Sequence, residues 1–258
     1  MDVKREKIAC EAALEAGAVL LETRGKSIVS EEKTFLDFVS EADKAAEKII
    51  VSKIRSLFPE DDILSEESVF GRKEVRHRWI IAPLDGTHNF LNGFKEFGTL
   101  IALEDEGQVI FAVCYFPALG EFFTAEKGKG AYCNGKRIKV SGADSLKGQM
   151  FCSDGIMRAK PKEILGDIER FCAAGCRLRI YGSSPYAFTL AAAGKALAAT
   201  NRFGKPWDIA APALIIEEAG GRVTDAKGNR WRVDSENIIA TNGLIHEQAL
   251  ELFNSSYS

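Results

Sequence analysis

The sequence predicts a mixed α/β (α+β) fold, and three patterns carry that expectation. Apolar residues recur at helical spacing over residues 4–23 and again after Ser40. Short β runs separated by turn signals fill residues 98–140, and after about 145 strands and helices alternate. With 258 residues, 46% hydrophobic and 28% charged, the chain is long enough for one large core or two intimately packed units.

The first helix covers "KREKIACEAALEAGAVLLET", with Gly25 as its closing glycine. A second helix begins at "SEADKAAEKIIVSKIRSLF". Ser40 is its N-cap, Ile49, Ile50, Ile54, Leu57 and Phe58 form one face, and Pro59 stops it. Asp43 then falls in the first turn, where the helix dipole favours negative charge. "RWIIAPLDGTHNF", residues 78–90, starts as a buried strand and ends in a polar cluster; α/β proteins bind ligands where strands stop. The runs "GTLIALED", "QVIFAVCYF", "EFFTAEKG" and "GAYCNGKRIKV" make an antiparallel meander. Beyond them come the strand "GQMFCSD", a helix near 161–174, the strand "RLRIYG" and the Ala-rich helix "SPYAFTLAAAGKA". "LAATNRF", the helix "PWDIAAPALIIEEAGG", "NIIATNG" and "LIHEQALELF" complete the chain. No Pro/Ser/Gly-rich linker separates an N-terminal half, 1–145, from a C-terminal half, 146–258, so the expectation is one compact unit with a soft boundary.

A formal net charge of -3 with mixed signs gives no basic stripe, which argues against a nucleic-acid partner and for small molecules. The start, "MDVKREKIAC", is charged, and no apolar run has the length of a membrane span, so the expected location is the cytoplasm, with no membrane partner. Cysteines at 10, 114, 133, 152, 172 and 176 show no C-x-x-C pairs and read as buried, reduced thiols, Cys172 and Cys176 included.

Four acids occupy points where chains turn or helices begin: Asp43, Glu66 in "ILSEES", Asp85 in "PLDGT" and Asp208 in "KPWDIAA". Oxygen-only donors suit hard cations, so Mg²⁺ is the expected metal. Histidines at 77, 88 and 246 are scattered, which disfavours a His-based nucleophilic machine. Gly86 and Thr87 offer backbone N–H groups and a hydroxyl at a helix start, a seat for phosphate. Each acid also has a plain structural reading, Asp85 as a turn former and Asp208 as a helix cap. Glu67, Glu217 and Glu218 read as solvated charge.

Together these residues resemble the inositol monophosphatase family of Mg²⁺-dependent, lithium-sensitive phosphatases. The family's D-P-(I/L)-D-G-T-x-N-F motif appears as "APLDGTHNF", its G-E-E as "SEES", its W-D-x-A-A/G as "WDIAA", and its early D-x-V-T/S-x-x-D as "DFVSEAD". The likeness extends through "GKGAYCNGKRI" and "EEAGGRVTD". It implies a layered αβαβα sugar-phosphatase fold, often a homodimer, with a site between the halves that takes a small phosphorylated metabolite. By position, Glu66 and the Leu84 carbonyl would ligate a first metal, Asp85 and Asp208 a second, and Asp43 would support a third or its waters. Glu66 and Thr87 would orient the attacking water, and Asp85, Gly86, Thr87 and Asp208 would face the phosphate ester. The implied chemistry is two-metal hydrolysis with ions about 4 Å apart.

Two positions depart from the family pattern. Ala82 stands where the family has the aspartate that bridges the first two metals, and a methyl group coordinates nothing. Because the other ligands are retained, the expectation is an inactivated phosphomonoesterase, a substrate-trapping variant rather than a natural pseudoenzyme. Asn201 stands where animal inositol phosphatases place a glutamate for inositol hydroxyls, and Arg202 beside it could pair with a second phosphate or a carboxylate, or serve as a surface or hinge arginine. Fructose 1,6-bisphosphate, 3'-phosphoadenosine 5'-phosphate and histidinol phosphate therefore stay open as substrates. The competing reading is a non-catalytic protein that senses a phosphorylated metabolite or contacts a macromolecule.

Overall fold

The structure, a computed structural model, describes residues 3–25, 30–34, 37–68, 75–155 and 161–254, with 30–34, 37–39 and 155 described in the backbone alone. The Asp37 side chain of the "DFVSEAD" motif thus lies outside the described ones.

The chain opens with α1 (Val3–Thr23), the hairpin β1 (Ser30–Thr34) and β2 (Asp37–Ser40), then α2 (Glu41–Leu57), β3 (Asp62–Ser65), β4 (His77–Asp85) and α3 (Thr87–Leu91). The meander is β5 (Gly98–Asp105), β6 (Gln108–Phe116), β7 (Glu121–Glu126), β8 (Gly130–Cys133) and β9 (Lys136–Arg137). There follow β10 (Met150–Gly155), α4 (Pro161–Ala173), β11 (Arg177–Arg179), α5 (Ser184–Ala192) and β12 (Ala198–Arg202). The last elements are α6 (Pro206–Glu218), β13 (Arg222–Asp225), β14 (Asn237–Thr241) and α7 (His246–Asn254).

Two sheets dominate. A seven-stranded sheet runs β3-β4-β5-β6-β7-β8-β9, and a five-stranded sheet runs β11-β10-β12-β14-β13. Only β3 is parallel to its neighbour in the first; in the second, β11, β10 and β12 are parallel and β14 and β13 antiparallel. Strand alternation sorts the side chains into three cores. Trp79 and Ile81 of β4 meet Ala12, Ala16, Ile50 and Ile54 of α1 and α2, whereas Ile80 and Ala82 face α5 and α6. On the second sheet Cys152, Ala199 and Ala240 face that same middle layer, and Phe151, Ala198 and Ile239 face Phe171 of α4 and Phe253 of α7. The result is the αβαβα layering that the resemblance implied.

The middle layer explains a sequence feature. Ile209 through Ile216 of α6 are all buried, as are Pro185 through Ala192 of α5, because each helix meets a sheet on two sides and keeps no polar face. Ser40 caps α2 as expected, accepting from the Asp43 N–H at 3.3 Å while Asp43 accepts from the Ser40 N–H at 2.8 Å. Glu218, expected as solvated charge, instead accepts the N–H groups of Gly128 and Gly130 at 2.7 and 2.8 Å and clamps the turn between β7 and β8. All six cysteines are free; Cys176 is buried, but Cys172 is exposed, because it follows core-facing Phe171 by one step of about 100° around α4. No helix among the described residues is long and apolar enough to cross a membrane.

Candidate active site

The parallel pairing of β3 and β4 brings their C-terminal ends to one edge, and the Glu66 N–H there donates to the Ile81 carbonyl at 3.2 Å. β4 runs past Ala82 as far as Asp85, with a register irregularity between the two against β5. The Pro83 carbonyl is taken up by the Thr99 hydroxyl at 2.8 Å. Irregularities of this kind re-aim side chains beside active sites. Gly86 follows with φ +75°, and a Cβ there would lie 2.6 Å from the Glu96 carbonyl oxygen, so glycine is required at this corner.

The turn delivers Thr87 to the start of α3. Its hydroxyl lies 3.3 Å from the Leu84 carbonyl and 3.5 Å from the buried Asp43 carboxylate. Both contacts are long, and one proton can serve only one of them at a time. Asp85 receives the Ser183 hydroxyl in a short hydrogen bond. Burial, and after it the neighbouring Asp208 carboxylate, push the Asp85 carboxyl well above the usual range; Ser183 and the Gly86 N–H oppose the shift, and Asp154 adds to it. Asp208 sits at the third position of α6, where it accepts the Lys205 N–H at 2.9 Å.

Sequence reasoning missed three residues of this arrangement. Asp154, at the end of β10, accepts the N–H groups of Tyr181 at 3.4 Å and Gly182 at 2.9 Å, and burial raises its carboxyl to about 7. Asn89 donates to the carbonyls of Glu96 at 2.6 Å and Tyr181 at 2.7 Å, which ties the corner after β4 to the turn before α5. Ser183 caps α5, accepting from the Tyr186 N–H at 3.2 Å. The cap was readable from Ser-Ser-Pro at a helix start; its contact with Asp85, 98 residues away in sequence, was not.

The remaining expected residues are placed as follows. Ala82 is fully buried in the core shared with α5 and α6, opposite Leu100 of β5. Asn201 is buried on the α5 face of β12 and donates to the Ser184 hydroxyl at 2.8 Å. Arg202, one residue on, leaves the sheet on the opposite face. It grips the Asp167 carboxylate with two hydrogen bonds of 2.5 and 2.8 Å and lies over the Phe253 ring at 3.9 Å. The structure therefore does not bring Arg202 to the acids. Among the described residues no three His, Cys, Asp or Glu side chains converge closely enough to hold a metal ion.

The inositol monophosphatase family model matches residues 2–258. The chain belongs to the inositol monophosphatase family. It is 38% identical to the fructose-1,6-bisphosphatase/inositol-1-monophosphatase of Thermotoga maritima over 225 residues, 87% of this chain and 86% of that protein. It is 36% identical to the histidinol-phosphatase of Chlorobaculum parvum over 239 residues, 92% of this chain and 91% of that protein. The solved Thermotoga maritima IMPase superposes with a TM-score of 0.90 at 36% identity, covering 98% of this chain and 97% of that one. Membership in this phosphatase family supports hydrolase activity in general, on small phosphate esters.

Proposed function

We propose that this chain carries a Mg²⁺-dependent phosphomonoesterase site whose turnover is reduced by Ala82. One observation carries the reading: the Asp85 carboxyl is pushed up by burial and by Asp208, a conflict between acids that a cation relieves. The donor chemistry fits Mg²⁺, which accepts oxygen ligands, keeps several waters and needs only one or two carboxylates. Asp85 and Asp208 would hold it. Glu66 and the Leu84 carbonyl would form the other side of the seat, which lacks a carboxylate at position 82.

Bound there, Mg²⁺ supplies Lewis acidity toward a phosphoryl oxygen and makes water acidic enough to attack near neutral pH. The Thr87 hydroxyl, within reach of Asp43, orients that water, and the backbone N–H groups of Gly86 and Thr87 receive the phosphate. Asn201, fixed by Ser184, faces the remainder of the ester. Arg202 takes no part, since its guanidinium serves Asp167. The active form is a cytoplasmic homodimer. Candidate substrates follow the relatives' names, inositol 1-phosphate, fructose 1,6-bisphosphate and histidinol phosphate, together with 3'-phosphoadenosine 5'-phosphate.

The buried alanine also favours a second reading, a protein that binds a phosphorylated metabolite without hydrolysing it. Assaying the parent and Ala82→Asp against those four esters with Mg²⁺ separates the two. The phosphatase reading predicts phosphate release from at least one ester by Ala82→Asp, with the parent slower by about a thousandfold, since supporting residues alone cost about 10–100-fold at metal sites. Release from none of them by either protein contradicts it and leaves the sensing reading.

A further inference from the structure

Asp43 and Glu47 lie four residues apart on α2, so their side chains share one face of the helix, and both are buried. Asp43 meets the Thr87 hydroxyl at 3.5 Å, while Glu47 accepts the Ser68 hydroxyl on Oε2 at 2.8 Å. A single face of α2 thus touches the corner that follows β4 and the segment that follows β3.

Glu66 stands in that second segment. Its N–H is bonded to the Ile81 carbonyl of β4 at 3.2 Å, and Ser68 follows it by two residues. The Glu66 side chain therefore leaves the backbone between two tethers, one from its own N–H to β4 and one from the Ser68 hydroxyl to α2. The first is at the long end of the range for an N–H···O bond. Ser65, one residue earlier, adds no further tether through its side chain, because its buried hydroxyl has no partner.

Stability alone does not account for a carboxylate at position 47. Its Oε1 is buried without a hydrogen bond, and a second acid four residues after Asp43 places like charges side by side on the helix. What the carboxylate supplies is an acceptor for Ser68. Resting on the metal reading above, we propose that Glu47 and Ser68 are a positioning pair: by holding the 66–68 segment to α2 they fix where Glu66 stands relative to Asp43 and Thr87, and so set the affinity of the site for its cation. Neither residue touches the metal or the ester.

Two readouts test the pair, and neither is catalytic. The first is hydrogen exchange of the Glu66 amide in EDTA, where Ser68→Ala should speed exchange by about fivefold, the loss of one hydrogen bond. The second is the apparent Mg²⁺ dissociation constant, taken from the rise of melting temperature with Mg²⁺ in the parent and Ala82→Asp backgrounds. Ser68→Ala should raise it by about tenfold, the lower figure for residues that support metal ligands. Ser68→Thr keeps the hydroxyl and Glu47→Gln keeps an acceptor, so both should stay within about threefold of the parent, short of one lost hydrogen bond. Asp167→Ala, a stability control on the α4–α7 side, should lower the melt with and without metal and leave the Mg²⁺ constant unchanged. Unchanged exchange or an unchanged Mg²⁺ constant in Ser68→Ala overturns the proposal. So does a rise in Ser68→Thr, or in Asp167→Ala, as large as that in Ser68→Ala. Faster exchange in Ser68→Ala with no Mg²⁺ response in either background would overturn the metal reading and the proposal with it, whereas a normal Mg²⁺ response that ignores Ser68 overturns the proposal alone.

Discussion

Asp167 and Asp85 are both carboxylates set among protein, and the molecule treats them oppositely. Burial leaves the Asp167 carboxyl raised, but Arg202 and Arg170 pull against it with hydrogen bonds of 2.5 to 2.8 Å on both oxygens. At Asp85 the nearest charges are Asp208 and Asp154, which add to burial, and only a serine hydroxyl and a glycine N–H oppose them. Asp167 is completed by its own chain. On the proposed reading Asp85 is completed by a cation brought from outside, and that difference separates an acid that builds the fold from one that takes part in the site.

Removing the two carboxylates should therefore have opposite effects on stability. Asp167→Ala strands two arginines on the α4–α7 side and should cost about 3 kcal/mol in denaturant unfolding, near the lower figure for breaking a buried ion pair. A loss under about 0.5 kcal/mol, the size of an ordinary surface change, would mean that the cluster contributes nothing.

His246 sharpens the same contrast, as a group completed in its neutral form. It is fully buried between the hydroxyls of Thr224 and Thr241, both at 2.9 Å, and burial lowers its pKa from 6.5 to about 4. Between those values the unfolded chain binds a proton that the folded one refuses, so the stability it contributes is full above pH 6.5 and is lost as pH falls toward 4. The swing is about 3 kcal/mol. Between pH 6.5 and 4 the parent should lose about 3 kcal/mol more unfolding free energy than His246→Gln; parallel curves would show that the ring takes up its proton as readily in the folded protein as in the unfolded chain.

Asp85→Asn should produce the smallest change and the opposite sign to Asp167→Ala. In EDTA it removes repulsion while keeping an acceptor for Ser183, so the melting temperature should rise by about 2–4 °C, equivalent to about 1 kcal/mol. A fall would show that Asp208 and Asp154 do not burden Asp85.

The sequence disclosed the parts of this contrast unevenly. The meander strands and the two fully apolar helices were legible, because "GTLIALED" and "QVIFAVCYF" are short apolar runs bounded by turn signals and "IAAPALII" has no polar face. β3 and β13 were not. Each is four residues long, and each is a strand because β4 or β14 pairs with it, which no local pattern records. At the site, Asp43, Gly86 and Asp208 could be read from cap and turn chemistry. Ser183 and Asp154 act across some 70 to 100 residues of chain on a corner that only the folded layers create. Arg202 was legible as a bidentate cation but not in its partner, since one residue of strand alternation decides whether it meets a substrate or Asp167.

On the proposed reading the crowded acids around Asp85 await a cation, and residue 82 sets how strongly it is held. Thermal melts of the parent and Ala82→Asp, each in EDTA and in excess Mg²⁺, test it directly. A further carboxylate about 5 Å from a neighbour adds roughly 3 kcal/mol of repulsion at an effective dielectric near 20, before protonation relieves part of it. The parent should therefore melt higher in EDTA. Mg²⁺ stabilises only the folded chain, in proportion to how tightly it binds, so Ala82→Asp should gain more when metal is added. Equal Mg²⁺-induced shifts in the two proteins would contradict the claim, because they would place residue 82 outside the shell of any bound metal.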